Sequence, residues 1–330
     1  MTNINRIAIG WSIAIVAVAI GITFFNQGVT SGQTPVIAKA NDMIEMFFTF
    51  QGEDAIGNFA GEKFEAGPNM TYVTVSSDGK LVFASSSASD TVFAYDQNGN
   101  KLASLQVGKT PKGVKINPDG GLVFVANENS GSISVIDTNT FRIVKEIPVG
   151  KIPHNIVFSP DGSRAFVTIQ GEDSIVIINV NALKIVDSIH VEKLPHNLDI
   201  TPDGKYLFTA NIGTSDVAVI DLEMKKVVKK IPVSTGHHGI DVSPDGLRVY
   251  VSGIGADLVN VIDVGSMELI KTIQVGEGPH GLRTNQDGSL LFVSVTKTNE
   301  IVEINTKNLQ IQKVIPTGKI PFWIALPGNF

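Results

Sequence analysis

At 330 residues, with 43% hydrophobic and 18% charged side chains, the chain has the composition of a well-buried fold and not that of a disordered one. Its net charge is −6 and no basic cluster stands out, which argues against nucleic acid as a partner. It contains no cysteine, which excludes disulfides, thiolate metal ligands and cysteine nucleophiles together.

The first element in chain order is apolar. Residues 7–25 (IAIGWSIAIVAVAIGITFF) carry no charge over 19 positions. A helix of that length spans about 30 Å, the thickness of a bilayer's hydrocarbon core. Arg6 precedes it and the next base is Lys39. The positive-inside rule therefore puts the N-terminus in the cytoplasm and the remainder outside, at the cell surface or in a periplasm-like space. The expectation is a single-pass anchor over 1–27. A cleaved signal peptide is the alternative, but its Ala-x-Ala element, Ala38 to Ala40, lies far beyond the apolar run. Residues 28–42 are polar and turn-rich and read as a linker.

From residue 43 to 330 the chain repeats itself. Asp-Gly occurs at 78, 119, 161, 203, 245 and 287, in steps of 41 and then 42. Asp96, Asp137, Asn179, Asp221, Asp263 and Asn305 keep the same steps. Each copy holds a turn such as Ser-Pro-Asp-Gly and short runs rich in Val and Ile, which predict four strands per copy. Four strands in 42 residues is the grammar of a propeller blade. The C-terminal IPFWIALPGNF opens a further copy and stops, whereas residues 48–59 match the middle of one. The two ends should therefore complete a seventh blade together and remove an exposed sheet edge.

The segments LVFVAN (Leu122–Asn127), YLFTAN (Tyr206–Asn211) and RVYVSG (Arg248–Gly253) follow that turn and precede a Val-Ile-Asp element. In these motifs the chain resembles the YVTN-repeat β-propeller family. The resemblance implies an all-β, seven-bladed propeller with the first strand of each repeat nearest the central channel. It does not imply one function, because this architecture hosts lactonases, lyases, redox subunits and binding surfaces.

Four of the six histidines, His154, His196, His238 and His280, also stand 42 apart. Each sits where the innermost strand of a blade begins, so the four are expected on one arc of the channel mouth. Lys112 and Phe322 hold the same place in two other blades, and the place is ambiguous near residues 69–71. Imidazole suits copper, zinc, iron or nickel. His237 is positioned to join the cluster or to point away. Three positions further along lie Asp199, Asp241 and Arg283: the two carboxylates are placed to hold the ring N–H groups of the histidines or to ligate directly, or else Asp241 pairs with Arg283 across adjacent blades and Asp199 with Lys115. Phe322 and Trp323 are expected as an aromatic pair facing the histidines across the channel. His190, on an outer strand, is expected at the surface. GEGPHG at 276–281 matches a dinucleotide pattern but joins two strands, so it carries no such function.

Three functional expectations follow. The first is a membrane-anchored binding scaffold for a protein or small molecule, with a histidine-lined site for copper or another transition metal. The second is a metal-dependent oxidoreductase, or a redox subunit whose cofactor sits on a partner. The third, which the resemblance allows, is a lactonase- or lyase-like enzyme using the histidines as acid and base. A purely packing role for the histidines stands beside all three.

Overall fold

The computed structural model describes residues 46–328. The anchor expected over 1–27 and the linker over 28–42 lie outside the described residues. Those described form seven four-stranded antiparallel sheets. Blades 1 to 6 follow the repeat, with inner strands Met70–Val75, Pro111–Ile116, Pro153–Phe158, Pro195–Ile200, His237–Val242 and Pro279–Thr284. Inner strands of neighbouring blades touch one another, so they surround a common axis. In blade 7 the inner strand Pro321–Ala325 comes from the C-terminus and the other three from Phe47–Glu65. Phe47 pairs with Ala325 and Phe48 with Ile324, which is the expected closure.

Blade 3 shows why the sequence folds this way. Its second and third strands, Arg164–Ile169 and Ser174–Asn179, are buried on both faces between neighbouring blades, which explains their continuous apolar runs. The outer strand, Lys184–His190, is largely exposed. The outer strand of blade 4, KVVKKIP, carries the lysines that discourage edge pairing. The Ser159-Pro160-Asp161-Gly162 turn closes the first hairpin. Ser159 donates to Asp161 and accepts from the Arg164 N–H at 3.0 Å, and Gly162 takes φ +69°.

Two local features position the channel mouth. In blades 1 to 6 the register of the inner strand slips just after its first residue, as between Pro153 and Ile156. Such a bulge frees two successive residues from the ladder and re-aims them. Hydroxyls then fix the carbonyl at the bulge of the next blade. Ser85 donates to the Lys112 carbonyl at 2.7 Å, Thr168 to His196 at 2.8 Å, Ser252 to His280 at 2.6 Å and Ser294 to Phe322 at 2.9 Å. Blade 4 has Ala210 at this place, and the Asn197 side chain serves instead, donating to the His238 carbonyl at 2.7 Å.

Candidate functional site at the channel mouth

The bulge brings the four repeated histidines into one stack. Ring centroids are 3.8 Å apart for His154 and His196, 3.9 Å for His196 and His238, and 3.8 Å for His238 and His280. Phe322 continues the stack at 3.7 Å from His280. The expectation that Phe322 and Trp323 face the histidines across the channel is therefore corrected. Blade 7 follows blade 6 in the ring, so Phe322 is the neighbour of His280. Trp323, one residue on, packs against Tyr72 with centroids 4.4 Å apart. Register also resolves the ambiguous first copy: Met70 pairs with Ser86 as Pro153 pairs with Ile169, so Thr71 takes the ring position. Half-buried Lys112 lies between Thr71 and His154 in blade order and pairs with Glu128 at 3.5 Å.

Burial governs the charge of these rings. His154, His196 and His280 are buried, and desolvation holds their pKa well below the ordinary 6.5. The same cause brings His238 to about 3. The charges acting on the four rings, chiefly one another's and that of Lys112, also oppose protonation, and only the Phe322 carbonyl, 3.2 Å from His280 Nδ1, works against this. At neutral pH the stack is uncharged. His237 is set apart from it: both its ring nitrogens are buried without a hydrogen-bond partner among the described residues, and burial lowers its pKa.

Tyr72 is the residue that sequence reasoning missed. It enters from blade 1 and reaches across the axis to blade 4. Its hydroxyl donates to Asn197 Oδ1 at 3.1 Å and lies 3.0 Å from His154 Nε2. Asn155 Nδ2 donates to the same Asn197 oxygen. A phenol has one proton, so with Asn197 as its acceptor His154 must carry its own proton on Nε2 and leave Nδ1 bare. The Nδ1 atoms of His154 and His196 are buried without a hydrogen-bond partner among the described residues.

Those two nitrogens make the histidines fit a metal in part. A neutral ring with a free nitrogen is the form that ligates. The stacking limits the fit: among the described residues no group of three His, Asp or Glu side chains is arranged to hold an ion. Asp199, Asp241 and Arg283 lie about 10 Å further along the channel wall. Arg283 Nη1 stands 2.7 Å from Asp241 and 3.4 Å from Asp199. Asp199 also accepts the Val242 N–H at 2.7 Å, and Asp241 the Thr284 N–H at 2.8 Å. The Asp241–Arg283 pair between adjacent blades, expected from the sequence, is thus present, whereas Asp199 meets Arg283 and not the expected Lys115. His190 is exposed on the outer strand.

Fold and site together define a propeller with a polar, histidine-bearing channel. A family model described as YNCE-like β-propeller matches residues 60–203 and 196–290. The chain belongs to this family, whose YVTN-type repeats are those read above. Among solved structures it is similar to Kuenenia stuttgartiensis hydrazine synthase, at 23% identity over 78% of this chain and 89% of that one, with a TM-score of 0.71. A functionally unknown protein from Desulfotomaculum acetoxidans is similar at 16% identity, over 87% of this chain and all of that one, TM-score 0.75. Dihydro-heme d1 dehydrogenase NirN, in complex with DHE, is similar at 18% identity over 87% and 76%, TM-score 0.67. At these identities the likeness is one of fold. No curated protein matches in sequence.

Proposed function

We propose that this chain is a membrane-anchored propeller facing outside the cytoplasm, and that it binds its ligand at the histidine-bearing channel mouth. The observation that carries this reading is the pair of buried, unpartnered Nδ1 atoms on His154 and His196 within an uncharged stack. The bare lone pair on His154, and that on His196 in its Nε2–H tautomer, lower their energy by meeting a donor or a metal. Copper is the leading ligand, because imidazole nitrogen suits it and it heads the divalent affinity order. His154 and His196 would hold it, and a metal bound there would supply electron-transfer chemistry. The hydrazine synthase and the dehydrogenase NirN use the same architecture, so a redox role is compatible with the fold.

The full-length chain purified in detergent, loaded with Cu(II) and desalted, tests this by elemental analysis. The expected result is about one copper per chain, falling at least tenfold in affinity in His196→Phe. Less than about 0.2 copper per chain contradicts copper as the ligand.

A further inference from the structure

Blade 7 departs from the repeat in its second and third strands. Register aligns Phe48, Phe50 and Gly57 with Val167, Ile169 and Val176 of blade 3. Blade 7 thus carries two aromatic rings where its counterpart is aliphatic, and no side chain where its counterpart has a valine. The two changes match in space: a Cβ on Gly57 would come within 2.8 Å of both rings. Phe48 and Phe50 meet edge to face, with centroids 5.2 Å apart. The hairpin that follows is also cut short. Gly57 pairs with Lys63, six positions on, whereas Val176 pairs with Ser188, twelve positions on. The outer strand of blade 7 has three residues, against seven in blades 2 to 6.

These losses leave a pocket of ≈ 210 Å³ between blades 6 and 7. Blade 7 supplies Phe48, Phe50 and Phe59 to its lining, and blade 6 supplies Ile301 and Ile315. Phe48, Phe50 and Ile301 are buried, whereas Phe59 and Ile315 are partly exposed at the opening. The charged groups of the rim engage one another. Lys63 pairs with Glu53, and its ammonium lies 5.0 Å from the Phe50 ring centroid. Asn58 donates to Glu62 at 2.8 Å. No residue lining the pocket belongs to an inner strand, so the pocket is independent of the channel mouth.

We propose that this pocket binds a small uncharged aromatic molecule, of the size and polarity of a phenol or an indole. A closed apolar cavity of about 150 Å³ already admits benzene, so this one has room for a substituted ring. The three phenylalanines offer faces and edges against which a ring packs better than an aliphatic group does. Water held against such walls lacks hydrogen-bond partners and gains by leaving. The paired rim gives a carboxylate or an ammonium no free counter-charge in exchange for its hydration, so charged ligands are disfavoured.

The full-length chain in lipid nanodiscs, titrated with 4-fluorophenol and read by fluorine resonance against empty nanodiscs, tests the proposal. Saturable binding with a Kd of about 1 mM or tighter is expected. Binding of 4-fluorobenzoate is expected to be about tenfold weaker. Ile315→Trp fills the pocket from blade 6 and is expected to weaken 4-fluorophenol by about tenfold or more. No saturable binding in the wild type, an unchanged affinity in Ile315→Trp, or benzoate bound as tightly as the phenol overturns the site. If that variant does not fold, wild-type crystals soaked in 4-iodophenol decide. An iodine peak between Phe59 and Ile315 supports the site. A peak only elsewhere, or a protein segment seated in the pocket, overturns it.

Discussion

At the scale of single residues, burial decides what the histidines can do. Their spacing was plain in the sequence, but their charge state was not, because it depends on neighbours from other blades. In the unfolded chain each ring binds a proton below pH 6.5, whereas in the fold desolvation delays this, to about 3 for His238. Stability is therefore complete above pH 6.5 and lost as pH falls through that window. The expected slope is up to ~1.4 kcal/mol per pH unit for each ring. Urea midpoints measured from pH 7 to pH 4 check it, and His196→Phe should keep the stack and make the slope shallower. An unchanged slope in that variant would mean that His196 titrates normally. Tyr72→Phe removes the hydroxyl that joins His154 to Asn197 and should cost about 1–3 kcal/mol in the same assay. Tyr72 escaped the sequence reading because the first copy carries extra residues, so its phase became visible only through strand register. Ile152 and Ile320, just before the mouth, hold φ of +59° and +55°, unfavourable for β-branched residues. Blades 5 and 6 have Gly236 and Gly278 there. Ile152→Gly should accordingly leave stability unchanged or raise it by up to about 1 kcal/mol.

At the scale of elements, the blade was legible because its signals are local. Turn chemistry, strand length and alternation all lie within 42 residues, and all four strands of each copy fall where the grammar places them. The bulge that opens each inner strand was not legible. Pro-His-Asn has no bulge signature of its own, and only pairing with the second strand shows the slip. The same holds for the hydroxyls that latch one blade to the next, since each acts on a carbonyl some 20 to 30 positions away. Thr49 serves at the closure: it donates to the Thr71 carbonyl at 2.7 Å and accepts the Trp323 N–H at 3.1 Å. Thr49→Val leaves both groups buried without that partner, and a loss of about 1–3 kcal/mol in urea unfolding is expected. No loss would show that the strand pairing alone holds the ring shut.

At the scale of the whole molecule, the ring turns a linear repeat into a channel with two distinct levels. The upper level is an uncharged arc of imidazoles. The lower one is an ionic cluster of Lys115, Arg283, Asp199 and Asp241. Tyr72 lies across the axis between the two. Seven blades and their closure followed from counting, but the order of side chains around the axis did not. Sequence reasoning set Phe322 and Trp323 across from the histidines, whereas ring order makes Phe322 the fifth member of the stack. It left Asp199 and Asp241 either as support for the histidines or as members of interblade ion pairs, and the contacts with Arg283 bear out the second for Asp241. The central claim, a ligand site built on His154 and His196, is tested most directly by paramagnetic resonance of the copper-loaded full-length chain. Nitrogen hyperfine splitting from two imidazoles, lost in the His154→Phe, His196→Phe double variant, is the expected result. A spectrum of free aqueous copper, or one unchanged in that variant, would contradict it.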